Sequence, residues 1–283
     1  MVIGWRKTSS GVSDRARLLA SVSRSFSLSL RLLPEAVAPA ISLAYLLARA
    51  SDTVADAAST SSDVRLHCLR SLPERWEPPV NLNLATAAEG LLISHVPTLL
   101  IEVERSPDRE EILCVWRRIL EGQILDLTRF GSPAAPALDG EELDRYTYLV
   151  AGCVGEFWTK ICLQHIRAYS RLSAEELLPL ACAFGRGLQL VNILRDRHAD
   201  ATLGRVYVAP LRFDAELAHA REHLQAARRY IQSIRRGRLR AACALPYLLG
   251  TQTLDLVEAN PEAARVKVSR PVVYRSLLQS FLV

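Results

Sequence analysis

This 283-residue chain has neither a GxxxxGK[ST] loop nor a GxGxxG fingerprint. Any nicotinamide would therefore have to bind without a Rossmann domain. Its six cysteines, Cys68, Cys114, Cys153, Cys162, Cys182 and Cys243, never fall into a CxxC pair and mostly sit in apolar runs. That excludes a disulfide framework and reads as buried thiols in a reducing, cytoplasmic compartment. No uncharged run reaches the ~20 residues that span a bilayer, and the stretch from Ala36 to Ala48 contains Pro39. MVIGWRKTSSG has no apolar core ahead of a cleavage site. Gln279 to Val283 is too short for a terminal anchor, so the expectation is a soluble chain, at most peripheral on the inner face of a membrane. Nucleic-acid modules are absent, and no repeat recurs at periods of about 20–50 residues.

What is present is apolar and mildly basic. Hydrophobic residues make up 49% and support a sizeable core, while 23% charged residues keep the chain soluble. The net charge of +5 suits acidic small molecules or an anionic surface.

Apolar spacing is helical almost throughout. Residues 1–12 are expected to form a loose arm, and 13–283 one all-α domain. Helices are expected from Ser13 or Asp14 to Phe26, from Pro34 to about Ala58, and from Asp63 to Leu72. A proline-rich connection at 73–82 leads to helices at 84–103 and 108–130. Further helices follow at 141–168, 173–198, 212–236, 238–258 and 271–281. Short extended pieces are expected at Val206–Val208 and Val266–Val268.

The chemistry centres on QLVNILRDRHADATLGRVYVAP, residues 189–210, where Asp196 and Asp200 stand four apart. On a helix both carboxylates face one way and repel unless a cation lies between them. Oxygen-only ligands favour Mg²⁺, which is usually shared with substrate phosphates. Arg195 and Arg205 suit the phosphate oxygens. One such pair alone reads as a solvated helix end. A second copy, Asp52 and Asp56 with Arg49 upstream, follows another apolar helix. Two facing pairs could hold a diphosphate while apolar walls shield the carbocation left by its departure.

Around these pairs stand Ser23-Arg24-Ser25-Phe26, Tyr45 with Arg49, and YTYLVAGCVG at 146–155. Gln189, Asn192, Arg195, Gly204, Arg205 and Pro210 complete the second motif. Together they resemble the squalene/phytoene synthase family of head-to-head prenyl transferases, over about residues 20 to 255. The resemblance implies an isoprenoid-synthase-type bundle around a central cavity. It implies Mg²⁺ on Asp52, Asp56, Asp196 and Asp200, with Asn192 beside them. It places Arg49, Arg195, Arg205, Ser23, Arg24, Phe26, Tyr45 and Gln189 around the substrate, and Tyr146 at proton handling or cation stabilisation. Val150, Ala151 and Gly155 would line a prenyl tail, although close helix packing explains the small residues equally well.

The implied reaction condenses two farnesyl diphosphates to presqualene diphosphate, then reduces it with NADPH to squalene. Phytoene or dehydrosqualene formation without reduction, and arrest at presqualene diphosphate, are the neighbouring expectations. A non-catalytic assembly factor of the same fold would be expected to have lost aspartates that are all present here. Two acidic places beside the first motif are Ala55 and Ala57, and an aromatic of animal enzymes is Ala242.

Other signals read as ordinary surface or core. His219, Glu222 and His223 spell HxxEH with no evident third ligand. The basic run Arg228 to Arg240 is an exposed helix face that could touch anionic lipid. Gln123 and Asp126 are either cavity lining or a core polar pair.

Overall fold

Helix boundaries follow local capping chemistry. Thr86 with Glu89, Asp139 with Glu142, and Ser173 with Glu176 each form a complete capping box, pairing backbone N–H groups that helix starts leave unsatisfied. These open α4 (Ala87–Glu104), α6 (Gly140–Thr147) and α8 (Ala174–Thr202). The computed structural model describes residues 10–22, 29–30, 32–57, 60–72, 76, 82, 84, 86–131, 135–235, 237–264 and 266–281. The remaining helices are α1 (Ser10–Val22), α2 (Ala38–Ala55), α3 (Ser62–Ser71), α5 (Arg109–Arg129), α7 (Cys153–His165), α9 (Phe213–Ser233), α10 (Gly237–Ala259) and α11 (Arg270–Ser280). Among the described residues the only strand-like pairing is an isolated bridge between Ser170 and Ile234. The fold is all-α.

On one side α2 packs against α4 and α5, with α3 behind α5. On the other, α8 packs against α7, α9 and α10, and α11 lies on α10. Fully buried Leu46, Leu47, Ile112 and Ile161 anchor the core. α8 is long and apolar enough to cross a membrane by length and composition. Here its apolar faces meet α7, α9 and α10, and Arg186 interrupts it midway.

Several boundaries differ from the sequence expectations. α1 starts at Ser10, inside the expected arm. α2 begins at Ala38, with Pro39 in its first turn, where a missing N–H costs no bond. It ends at Ala55, so Asp56 is its C-cap rather than a helical residue. α8 runs past 198 to Thr202, which makes Asp200 helical. Val206–Val208 and Val266–Val268 form no strand. Cys114 is exposed and Cys182 half-buried, unlike the four buried thiols.

The expected helix over 141–168 is interrupted by one π-helical turn at Tyr148–Gly152. The widened turn presses Val150 and Ala151 against neighbouring helices where those helices carry glycine. A Cβ on Gly122 of α5 would lie 2.6 Å from Val150 Cγ1, and one on Gly185 of α8 only 2.1 Å from the Ala151 carbonyl oxygen. Such turns often mark functional sites, and this one lines the cavity described next.

Candidate active site

Between α2 and α5 on one side and the π-helical turn with α7 on the other lies a cavity of about 370 Å³. Its walls are apolar: Ile41, Ala44, Val115, Ile119, Val154 and Phe157. Its polar groups gather at one end: Asp52, Asp56, Gln123, Asp126, Tyr146, Arg205 and Tyr207. A second lobe of about 210 Å³ shares Val150, Val154, Trp158 and Gln189 with the first, and continues past Ala151, Asn192 and Tyr230 to Ala242 and Pro246.

Asp52 occupies the last turn of α2. Its Oδ1 accepts a hydrogen bond from Gln123 Nε2, and Arg49 Nη1 stands 3.9 Å from Oδ2. Arg49 also reaches Glu89, at 3.4 Å. Although 47% of the Asp52 side chain is open to the cavity mouth, protein surrounds it closely. Burial, then repulsion from Asp56, pushes its carboxyl up to about 6. Asp200 behaves alike: burial, then Asp196, pushes it up to about 6. Arg195 is committed to its neighbour Asp196, with Nε 2.9 Å from Oδ1.

Past the end of α8 the chain turns and brings Arg205 and Tyr207 to the cavity. Gly204 adopts φ +76°, a left-handed conformation that costs glycine no side-chain clash. The Arg205 N–H bonds the Asp200 carbonyl at 2.9 Å, and the Gly204 N–H bonds that of Ala201 at 3.0 Å. This is a Schellman turn. It sends Arg205 Nη1 to 3.9 Å from Asp56 and 3.7 Å from Asp126, so one guanidinium links the two motifs. Gly204→Ala is expected to destabilise the fold by about 1 kcal/mol through backbone strain alone, since nothing lies within 4 Å of the added Cβ. Urea denaturation measures it, and no loss would contradict the turn.

Beyond the arginine, Tyr207 turns inward and donates to Asp126, a carboxylate only 9% exposed. Its ring stacks on Tyr146 at 5.1 Å, and Phe130 meets it edge-on at 5.0 Å. Burial raises Asp126, while bonding from Tyr207 and the charge of Arg205 oppose the rise. Burial, then the Asp126 charge, pushes the Tyr146 phenol well above its ordinary range. Tyr146 is therefore a protonated phenol with its ring in the cavity wall, and a poor base.

The donors fit Mg²⁺. They are all oxygen, and two of the four aspartates resist ionisation through burial and mutual repulsion, which a hard divalent cation relieves. Among the described residues no three such groups already converge on one point. Each pair would thus share its ion with water and phosphate oxygens, as Mg²⁺ commonly does. Asp52 and Asp200 hold protons more tightly in the folded chain than at the ordinary 3.8. Their contribution to stability is full below about pH 4 and is lost as pH rises through about 6. Mg²⁺ competes with those protons. Added Mg²⁺ is expected to raise Tm more at about pH 7.5 than at about pH 5. Equal gains at both would contradict this.

The structure gathers Tyr45, Asp52, Asp56, Tyr146, Val150, Gln189 and Arg205 around the first lobe, and Ala151, Gly155 and Asn192 around the second, whereas Arg49, Arg195, Asp196 and Asp200 line neither. Gly155 also meets α8 so closely that a Cβ would lie 2.0 Å from the Ala181 carbonyl oxygen. Close helix packing is therefore its first role. Ser23, Arg24 and Phe26 lie outside the described residues. Gln123 and Asp126 prove to be cavity lining. Tyr207, which stands in the second motif two residues past Arg205, also lines the first lobe. His219 bonds Glu216 at 3.3 Å and meets no metal cluster among the described residues. His198 faces the Pro261 carbonyl at 3.2 Å from within α8.

Comparison with known proteins bears on the family and the fold. The family model "Squalene/phytoene synthase" matches residues 19–209 and 212–273. A bifunctional lycopene cyclase/phytoene synthase of Colletotrichum graminicola is 28% identical over 213 residues, covering 70% of this chain and 34% of that protein. A squalene synthase of Yarrowia lipolytica is 25% identical over 290 residues, covering 89% of this chain and 62% of that protein. The chain thus spans less than two thirds of either relative. The solved complex of TcSQS with the ligand BPH1237 superposes with a TM-score of 0.80 at 24% identity, over 95% of this chain and 86% of that one. The chain belongs to the squalene/phytoene synthase family, whose model spans most of it.

Proposed function

We propose that this chain is a squalene synthase, condensing two farnesyl diphosphates head to head and reducing the product to squalene. The observation that carries the reading is a two-lobed apolar cavity whose polar end holds Asp52 and Asp56, with Arg205 of the second motif reaching across to Asp56. Arg49 and Arg205 would hold diphosphate oxygens, with Asp52, Asp56, Asp196 and Asp200 as the residues that would hold Mg²⁺. The ion, when bound, would supply positive charge to the leaving diphosphate. Heterolysis of the C–O bond then leaves an allylic cation in the apolar walls, where water cannot quench it. The double bond of the second substrate attacks that cation, and a proton leaves as the cyclopropane closes. Tyr146 is too weak a base to take that proton, which favours the departing diphosphate as acceptor. The Tyr146 ring offers its negative face to the cation instead.

NADPH enters on the resemblance alone. The chain has no glycine-rich phosphate loop to hold it. A second reading ends in proton loss without reduction. Ala242 favours it, since this residue lines the second lobe where animal enzymes carry an aromatic.

Product analysis decides between them. Farnesyl diphosphate with Mg²⁺ is expected to yield presqualene diphosphate, and squalene only when NADPH is added. A C40 product from geranylgeranyl diphosphate, or dehydrosqualene without NADPH, would overturn the favoured reading.

A further inference from the structure

The last helix, α11, is amphipathic in the inverted sense. Its most buried side chains are serines. Ser276 is 0% exposed and hydrogen-bonds Gln252 of α10 at 3.1 Å, and Ser280 is 1% exposed. Its solvent face carries Tyr274 at 68%, Leu278 at 70% and Phe281 at 54% exposure. These three stand at i, i+4 and i+7 and so form one stripe. A helix that served only to pack on α10 would bury Leu278 and expose the serines.

Charge says what covers the stripe. From Ala263 to Val283 the chain has no acidic residue. Lys267, Arg270 and Arg275 are exposed, and none has an ion-pair partner among the described residues. Arg270 lies one helical turn before Tyr274, in line with the stripe. A second copy docking through the same face would bring two sets of unneutralised cations together. An anionic lipid surface meets both features. We propose that α11 docks this chain on such a surface, with Tyr274, Leu278 and Phe281 at the boundary of headgroups and acyl chains. Lys267, Arg270 and Arg275 would then face acidic headgroups.

The basic run Arg228 to Arg240 lacks the apolar half of this arrangement. Ile231, Ile234 and Leu239 within it are all 0% exposed and have nothing to insert.

Co-sedimentation of the full chain with phosphatidylglycerol and phosphatidylcholine vesicles tests the proposal, whatever reaction the cavity performs. Binding is expected to phosphatidylglycerol, weakening with salt, and to be much weaker to phosphatidylcholine. Tyr274→Ser, Leu278→Ser and Phe281→Ser together are expected to weaken binding about a hundredfold or more. Arg270→Gln with Arg275→Gln is expected to weaken it about thirtyfold. Both variants should keep the wild-type Tm and Mg²⁺-dependent pyrophosphate release in solution. Failure of the folded wild type to bind phosphatidylglycerol, or equal binding by the variants, would overturn the proposal. So would a dimer in sedimentation that the triple variant dissolves.

Discussion

Asp52→Asn is expected to lower turnover at least about a thousandfold while leaving the helical circular dichroism unchanged. The two halves of that expectation have separate causes. The asparagine keeps the shape of the side chain and an oxygen that can accept from Gln123, so α2 and α5 stay joined. What it removes is a charge, and the folded chain already holds that charge against burial and against Asp56. Without Mg²⁺, Tm at about pH 7 should therefore hold or rise slightly. With Mg²⁺, the leaving diphosphate loses part of its neutralisation. Pyrophosphate release from farnesyl diphosphate measures the first effect, and thermal unfolding the second. Retained turnover would sink the assignment of Asp52 to the metal. Lost turnover with lost helicity would instead make the residue structural.

Gly155→Ala is expected to destabilise the protein by about 3 kcal/mol, a fall in Tm of roughly 6–10 °C. The added Cβ would lie 2.0 Å from the Ala181 carbonyl oxygen and 2.7 Å from its carbon. Both atoms are backbone in the middle of α8, so no rotamer change relieves the clash, and α7 and α8 must separate. Gly155 also borders the second lobe, so product formation should fall even in the folded fraction. Gly237→Ala is the control, because nothing stands within 4 Å of a Cβ there. Equal Tm values for the two variants would mean that α7 and α8 sit further apart than described.

Local patterns and tertiary packing contributed differently to these residues. The helical periods, the capping boxes at Thr86, Asp139 and Ser173, and the break before α3 are local, since each depends on residues three or four apart. The two DxxxD pairs were legible for the same reason. The π-helical turn was not. Nothing within YLVAG demands it, and its glycine partners Gly122 and Gly185 lie on other helices. Asp126 could not be separated from a core polar residue until Tyr207 and Arg205 were seen to meet it, across more than seventy positions of chain.

By itself the sequence determined an all-α chain, its helices and the two carboxylate pairs, because helix formation and i,i+4 spacing are properties of neighbours. Only the tertiary structure decided that Arg205 reaches Asp56 of the first motif and that Tyr146 stacks on Tyr207 over a buried Asp126. It alone decided that Gly155 serves helix contact first, and that α11 turns its serines inward and its apolar side chains to solvent. Each of those depends on which helix faces which, and burial is set by that arrangement rather than by any residue's own type.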